Sequence, residues 1–216
     1  MSELVRFIIS QHVDINTVYL LLALPFIATL IASFRQIIGI QSFGIYAPLV
    51  LTFAFWATDL KYGLAIFLVI FIAGTLVRYI LKQMRILYMP RMAIVLTVIS
   101  LSILVLVMVG GHFRRYGLTS TSILPIVIMI TLIEKFISAQ VEKGIRTATL
   151  LSIETLFISI VGYYVLNWNA FQNFVLDYPY YVFGLLIFDF LLGKWSGLRL
   201  SEYLRFRDVI KNVDSD

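Results

Sequence analysis

Long apolar segments, separated by short charged or polar stretches, dominate this 216-residue sequence. An α-helix needs about 20 apolar residues to cross the hydrocarbon core of a bilayer. By that measure the sequence predicts seven membrane spans, at residues 17–33, 45–57, 62–81, 93–110, 123–137, 145–166 and 180–192. Hydrophobic residues make up 61% of the chain, more than a soluble domain of this length can bury. We therefore predict an all-α polytopic membrane protein.

Basic residues are distributed unevenly around these predicted spans. Seven spans put the two ends of the chain on opposite sides of the membrane. When the C-terminus is placed in the cytoplasm, thirteen of the seventeen Lys and Arg residues fall on the cytoplasmic side, and only Arg6, Lys61, Arg114 and Arg115 fall outside. Cytoplasmic loops of membrane proteins are enriched in basic residues. The bias predicts a multi-pass protein of the plasma (inner) membrane with its N-terminus outside and its C-terminus in the cytoplasm.

Two stretches combine glycines and polar residues with a proline that directly precedes an apolar run. The first runs from Gly39 through Gly44 to Pro48, and a weaker copy runs from Gly117 to Pro125. Glycine and proline interrupt helices, and backbone groups left unpaired in a membrane must face protein or water. The two motifs therefore predict broken helices. A proline in the first turn of an ordinary helix is the alternative interpretation of each motif.

Each motif begins a unit of three predicted spans, at about 39–110 and 117–193. Each unit crosses the membrane an odd number of times, so the second unit begins on the opposite side from the first. We therefore expect the second unit to be inverted relative to the first. Many transporters build a midplane site from such inverted repeats with broken helices. The predicted architecture is a short outer segment (1–16), a membrane domain (17–193) with one leading helix and two inverted three-helix repeats, and a cytoplasmic tail (194–216) that forms a basic amphipathic helix.

Four polar residues are candidates for an intramembrane path. Glu154 lies near the middle of the sixth predicted span, where a carboxylate costs several kcal/mol unless it is neutral, hydrated or paired. It is either a proton site or a protonated acid that hydrogen-bonds to a neighbouring helix. Thr155 follows it, and Ser42 lies inside the first motif. Asp189 lies near the inner end of the last span, where pairing with a basic residue is the simpler interpretation.

Charged residues on the predicted cytoplasmic side are candidates for docking a partner. They follow the third span, flank the connection between the fifth and sixth spans, and recur in the tail. The set comprises Arg78, Lys82, Arg85, Arg91, Glu134, Glu142, Arg199, Arg205 and Arg207. Topology and contact with anionic lipids explain basic residues in these places without a protein partner. The sequence leaves both interpretations open.

Patterns of catalytic and metal-binding residues are absent from the sequence. The chain has no cysteine, and its two histidines, His12 and His112, lie outside the apolar runs. It contains no His-Glu-x-x-His and no phosphate-binding glycine loop, and Ser42 does not fit Gly-x-Ser-x-Gly. We expect no catalytic residue, metal site or cofactor. The net charge of +5 is spread over loops, so it does not indicate a nucleic-acid partner.

Several short segments, in order along the chain, resemble a known family of membrane domains. They are residues 38–50, 89–93, 123–129 together with Glu134, 141–144 and 197–207. These segments are similar to the seven-helix membrane domain that is usually fused to an inactive transglutaminase-like domain in bacteria. More distantly, they resemble PgsC/CapC, the small membrane subunit of poly-γ-glutamate (capsule) synthases.

The resemblance implies a class of function. Both relatives are associated with cytoplasmic ATP-grasp ligases that join amino acids, glutamate above all, through amide bonds. It implies a non-catalytic membrane subunit that anchors such a ligase and conducts an anionic peptide polymer across the membrane for export. An outer-side accessory subunit or a homo-oligomer would be further partners. The alternative is an independent proton-coupled secondary transporter or channel that uses Glu154.

Overall fold

The computed structural model of the chain describes residues 2–84, 86–112 and 123–194. Every regular element in these ranges is helical. In chain order the helices are α1 (Glu3–Ser10), α2 (Ile15–Ser33), α3 (Tyr46–Thr58), α4 (Leu60–Leu81), α5 (Tyr88–His112), α6 (Ile123–Lys143), α7 (Ile145–Leu166), α8 (Asn169–Asp177) and α9 (Tyr181–Gly193). A π-helical turn at Phe34–Ile38 continues α2.

Within the described residues, five helices are long and apolar enough to cross a membrane: α2 with its π-helical turn, α4, α5, α6 and α7. The pair α8 and α9, bent by 104°, makes a sixth if it counts as one span. Helix α3 is apolar but has 13 residues, a length of about 20 Å against a hydrocarbon core of about 30 Å. The chain is an all-α polytopic membrane protein, as predicted, and a helix or helix pair stands at each predicted span.

Two helices extend beyond the predicted spans. Helix α6 continues to Lys143 instead of ending near residue 137. Glu134 and Lys135 are exposed on one side of the helix, while Phe136 is buried on another side. Because the buried side continues past the two charged residues, the helix does not end there. Helix α5 begins before Pro90, because a proline in the first turn of a helix costs no hydrogen bond.

The two motif prolines lie in the first turns of helices. Pro48 is the third residue of α3, and Pro125 is the third residue of α6. Proline is tolerated at this end of a helix because the first N–H groups have no partner within the helix. A proline that the sequence analysis did not single out, Pro25, lies inside α2. Proline at such a position removes one backbone hydrogen bond.

The non-helical stretch of the first motif covers residues 39–45, between the π-helical turn and α3. Gly39 and Gly44 both adopt left-handed backbone conformations, with φ of 89° and 75°. Such angles are strained for residues with a side chain. Ser42 is buried and its hydroxyl donates to the carbonyl oxygen of Gly44 at 2.8 Å, which satisfies one backbone acceptor of the stretch. Gly117, in the second motif, lies outside the described residues.

The helices group into two compact units. The first combines Met1–Leu49 with Tyr164–Asp216, and the second is Val50–Tyr163. In the first unit, α2 packs against α8 and α9. The buried hydroxyl of Tyr19 donates to the carbonyl oxygen of Leu166 at 2.6 Å. This grouping reflects packing and not chain orientation, so the inverted repeat stays a prediction.

In the second unit, α4 packs against α5 and α6. Gly74 is buried in α4, and a Cβ atom at this position would lie 2.7 Å from Cγ1 of Ile133. Beside it, the rings of Phe71 and Phe136 lie 4.3 Å apart between centroids. A small residue therefore brings α4 and α6 close together, as is common between membrane helices.

Helices α3 and α7 also approach closely in the second unit. The Thr52 hydroxyl donates to the carbonyl oxygen of Ser159 at 3.3 Å. A Cβ atom added to Gly162 would lie 2.7 Å from Oγ1 and 2.9 Å from Cγ2 of Thr52. The contact therefore combines a hydroxyl group with a glycine, a pairing that suits a membrane interior.

We predict that Gly162→Ala destabilises the protein, because the added methyl group overlaps Thr52 and overpacking costs about 1–3 kcal/mol. The apparent melting temperature of detergent-purified protein, followed by size-exclusion chromatography after heating, should fall by roughly 3 °C or more. Gly184→Ala is the matched control, because a Cβ atom there meets nothing within 4 Å. Equal melting temperatures for the two variants would show that α3 and α7 do not pack in this way.

Candidate functional site

A basic cavity lies in the second unit, at the ends of α4 and α6 and the starts of α5 and α7. Its volume is about 540 Å³, a size typical of small-ligand sites. Its lining residues are Thr75, Arg78, Tyr79, Lys82, Arg91, Gln140, Val141, Gly144 and Ile145. Three of the predicted docking residues therefore line one cavity.

The chain brings these cations together by simple local geometry. Arg78 and Lys82 are four positions apart at the end of α4, so a helical backbone puts them on one side. Arg91 lies in the first turn of α5, after a short connection, and its Nη2 donates to the carbonyl oxygen of Ile86 at 3.1 Å. Arg85 belongs to this connection and lies outside the described residues.

Gln140 is a polar side chain that lines the cavity, with 3% of its surface exposed. Its Oε1 accepts a hydrogen bond from Nη1 of Arg78. Its Nε2 is buried and has no hydrogen-bond partner among the described residues, and the same holds for Nε of Arg91. A buried donor without a partner is costly in a folded protein. Both of these N–H donors belong to residues that line the cavity.

All charged side chains that line the cavity are basic. The guanidinium groups of Arg78 and Arg91 are near enough to act on each other electrostatically. No ion pair joins Arg78, Lys82 or Arg91 to a carboxylate in the part of the chain that the structure describes. Unpaired cations beside buried N–H donors form a site for an anion with several acceptor oxygens, such as a carboxylate or a phosphate.

The connection from α6 to α7 borders the same cavity. Gly144 forms this turn with φ of 86°, and it lines the cavity. The neighbouring charged side chains of Glu142, Lys143 and Arg146 are exposed, as is Glu134 farther back in α6. Two predicted docking residues therefore lie on an accessible surface next to the cavity. The other three, Arg199, Arg205 and Arg207, and the predicted tail helix lie beyond the last described residue, Lys194.

A second cavity lies in the first unit, where the π-helical turn faces the end of α9. Its volume is about 460 Å³, and its lining residues are Ala32, Arg35, Gln36, Ile40, Gln41, Ile45, Asp189, Leu192 and Gly193. Asp189, a predicted path residue, accepts a hydrogen bond at Oδ2 from the Thr29 hydroxyl at 3.0 Å. The nearby ammonium group of Lys194 lies 4.6 Å above the centre of the Phe190 ring. The partner found for Asp189 is thus a hydroxyl group.

The other predicted path residues are divided between the two units. Ser42 lies in the first unit, in the stretch between helices, and Glu154 and Thr155 lie in α7 in the second. Glu154 is half-buried, and its Oε2 is shielded from solvent. The hydroxyl of Thr155 is buried and donates to the carbonyl oxygen of Leu151 at 2.7 Å. Each unit therefore holds two of the four candidates.

Sequence reasoning missed two functional candidates, Gln140 and Arg35. Gln140 stands on the buried side of α6 that also carries Met129, Ile133 and Phe136. A search for polar residues on the apolar side of a predicted helix would have found it. Nothing in the sequence marks Arg35 as a cavity residue, because its position depends on the π-helical turn.

Residues 2–84, 86–112 and 123–194 contain no group of three His, Asp or Glu side chains that could hold a metal ion. The two cavities are lined by cations, amides, hydroxyl groups, one carboxylate and apolar groups.

One family of known proteins matches this chain. Its description is seven transmembrane helices usually fused to an inactive transglutaminase, and the match covers residues 2–210. No curated protein and no solved structure has significant similarity to the chain.

We predict that Thr29→Val destabilises the protein, because it removes the hydroxyl group that donates to the Asp189 carboxylate. A hydrogen bond to a charged group contributes about 1.5–3 kcal/mol, so its loss should lower the apparent melting temperature in detergent. Thr97→Val is the control, because Thr97 is exposed and its hydroxyl bonds only to its own helix, at the carbonyl oxygen of Ala93. The proposed contact is refuted if both variants melt at the wild-type temperature.

Proposed function

Since the chain belongs to the family of seven transmembrane helices that are usually fused to an inactive transglutaminase, we propose that it is a non-catalytic membrane subunit for the synthesis of an anionic peptide polymer. It anchors a cytoplasmic ligase of the ATP-grasp class, receives the acidic product, and contributes to its export across the plasma membrane. The distant resemblance to the PgsC/CapC subunit of capsule synthases supports a polymer of the poly-γ-glutamate type.

The basic cavity is the observation that carries this proposal. An acidic peptide presents carboxylates at regular intervals, and a guanidinium group binds a carboxylate through two parallel hydrogen bonds. Arg78 and Arg91 both line the cavity without a carboxylate partner in the described chain, and Gln140 adds a buried N–H donor. An acidic side chain entering the cavity would satisfy these donors and reduce the repulsion between the two cations.

The surface for the ligase adjoins the cavity in this proposal. The α6–α7 connection presents exposed charges of both signs, including Glu142, Lys143 and Arg146. Because Gly144 of the same connection lines the cavity, a ligase bound there would release its product beside the cations. In this proposal this end of the helices faces the cytoplasm and the N-terminus lies outside, as the bias of basic residues predicts. The tail at 194–216 would extend the docking surface.

We predict that the double variant Arg78→Gln, Arg91→Gln binds a fluorescent oligo-glutamate at least about tenfold more weakly than wild type, since each lost charge-assisted hydrogen bond is worth about 1.5–3 kcal/mol. Fluorescence anisotropy in detergent measures the affinity. Lys61→Gln is the control, because Lys61 is an exposed cation at the opposite end of α4. The single variant Lys82→Gln, which leaves the Arg78–Gln140 contact in place, should show a smaller loss in the same direction.

The anchoring role is tested by co-purification with ATP-grasp ligases encoded beside the chain. A stable complex should form, and the double charge reversal Glu142→Lys, Lys143→Glu should weaken it. If the chain purifies alone with every such ligase, or if oligo-glutamate binds equally well to wild type and to the Arg78 and Arg91 double variant, the proposed function is wrong.

Glu154 supports a second candidate function, that of a proton-coupled transporter or channel. Its carboxylate is half-buried within the membrane-spanning helix α7, with Oε2 shielded from solvent. Intramembrane carboxylates commonly act in proton transfer.

This candidate predicts that vesicles containing the protein conduct protons under a membrane potential, and that Glu154→Gln lowers the flux about tenfold or more, because an amide cannot exchange the proton. A pH-sensitive dye inside the vesicles reports the flux. Glu134→Gln, at an exposed position in α6, should leave it unchanged. Equal fluxes in wild type and Glu154→Gln would exclude a coupling role for this residue.

A further inference from the structure

The cavity of the first unit carries charges of both signs. Arg35 and Asp189 line the same space of about 460 Å³. The structure shows no ion pair between them. Two opposite charges that share a cavity without touching leave room for a ligand that carries both complementary charges.

Asp189 belongs to α9, whose surface is largely exposed and apolar, as Phe183, Ile187 and Phe190 illustrate. A carboxylate binds a cationic N–H group strongly through a charge-assisted hydrogen bond. The hydrogen bond from Thr29 leaves the negative charge in place, because a hydroxyl group is neutral. A ligand with an N–H-bearing cation would neutralise it.

Arg35 is held at the cavity by the π-helical turn. The carbonyl oxygen of Phe34 accepts from the N–H groups of both Gly39, at 3.1 Å, and Ile40, at 3.3 Å, which closes the turn. Turns of this kind are frequent at functional sites. Ile40, Ile45 and Leu192 supply an apolar wall beside the two charged groups.

We propose that this cavity binds a small zwitterion with a primary ammonium group. The ammonium group contacts the Asp189 carboxylate, the acidic group contacts the Arg35 guanidinium, and the apolar part of the ligand lies against the wall. A free amino acid and an ethanolamine phosphate headgroup of a phospholipid share this chemistry. The site differs from the basic cavity, which belongs to the second unit and whose charged lining residues are all cations. The proposal therefore does not depend on the proposed function.

The experiment measures binding of two probes to the purified full-length protein. L-alanine is titrated by isothermal calorimetry, and phosphatidylethanolamine is compared with phosphatidylglycerol and phosphatidylcholine by native mass spectrometry. We expect binding of alanine or selective retention of phosphatidylethanolamine. Arg35→Gln and Asp189→Asn should each weaken it about tenfold or more, because each removes one charge-assisted contact. A response to alanine identifies an amino-acid site, and retention of the phospholipid alone identifies a headgroup site.

Arg6→Gln and Asp14→Asn are the matched controls, since both residues are exposed in the first unit and line neither cavity. Asp189→Asn keeps an oxygen that can accept from Thr29, so a folded variant is expected, and size-exclusion chromatography checks it. The proposal is overturned if neither probe binds, if binding survives both cavity substitutions, or if it depends on Arg35 and not on Asp189, which would mark a simple anion site.

Discussion

The hydrocarbon core of the lipid bilayer offers no hydrogen-bond partner to a polar group, and this constraint governs most of the structure. Backbone groups are satisfied within the helices, and hydroxyl groups follow the same rule. Ser152, Thr155 and Ser159 are all buried in α7, and each donates to the carbonyl oxygen four residues earlier. Where the backbone leaves the helical path at 39–45, the Ser42 hydroxyl takes up a carbonyl oxygen. The main role of these polar residues is therefore to stabilise the packed fold.

Polar groups that lack a hydrogen-bond partner or an opposite charge therefore indicate candidate binding sites. Buried N–H donors in the basic cavity and separated opposite charges in the second cavity are costly arrangements for a protein to keep. Both cavities lie at helix ends, where a charged side chain reaches polar surroundings more easily than at the membrane centre. The two sites differ in the charges they offer, so they suit different ligands.

Much of the fold could be predicted from the sequence, and the errors have physical causes. A helix stands at each of the seven predicted spans, and within the described residues five helices, or six with α8 and α9 as one span, are long and apolar enough to cross a membrane, because apolar length is a local property. Helix α6 continues beyond its predicted span at 123–137 to Lys143, because its buried side continues past the exposed Glu134 and Lys135. Of the site, the sequence identified Arg78, Lys82, Arg91 and Asp189 as charged candidates. It did not identify Gln140 or Arg35, whose roles depend on what lies across from them.

The sequence by itself determined that this chain forms apolar helices in a membrane. A helix in hydrocarbon satisfies its backbone through hydrogen bonds between residues four apart, so its formation needs no distant part of the chain. Only the tertiary structure decided which polar groups meet. Arg78 and Gln140 are 62 positions apart, and Thr29 and Asp189 are 160 apart. Contacts over such distances depend on how helices pack side by side, and no local pattern of residues encodes that arrangement.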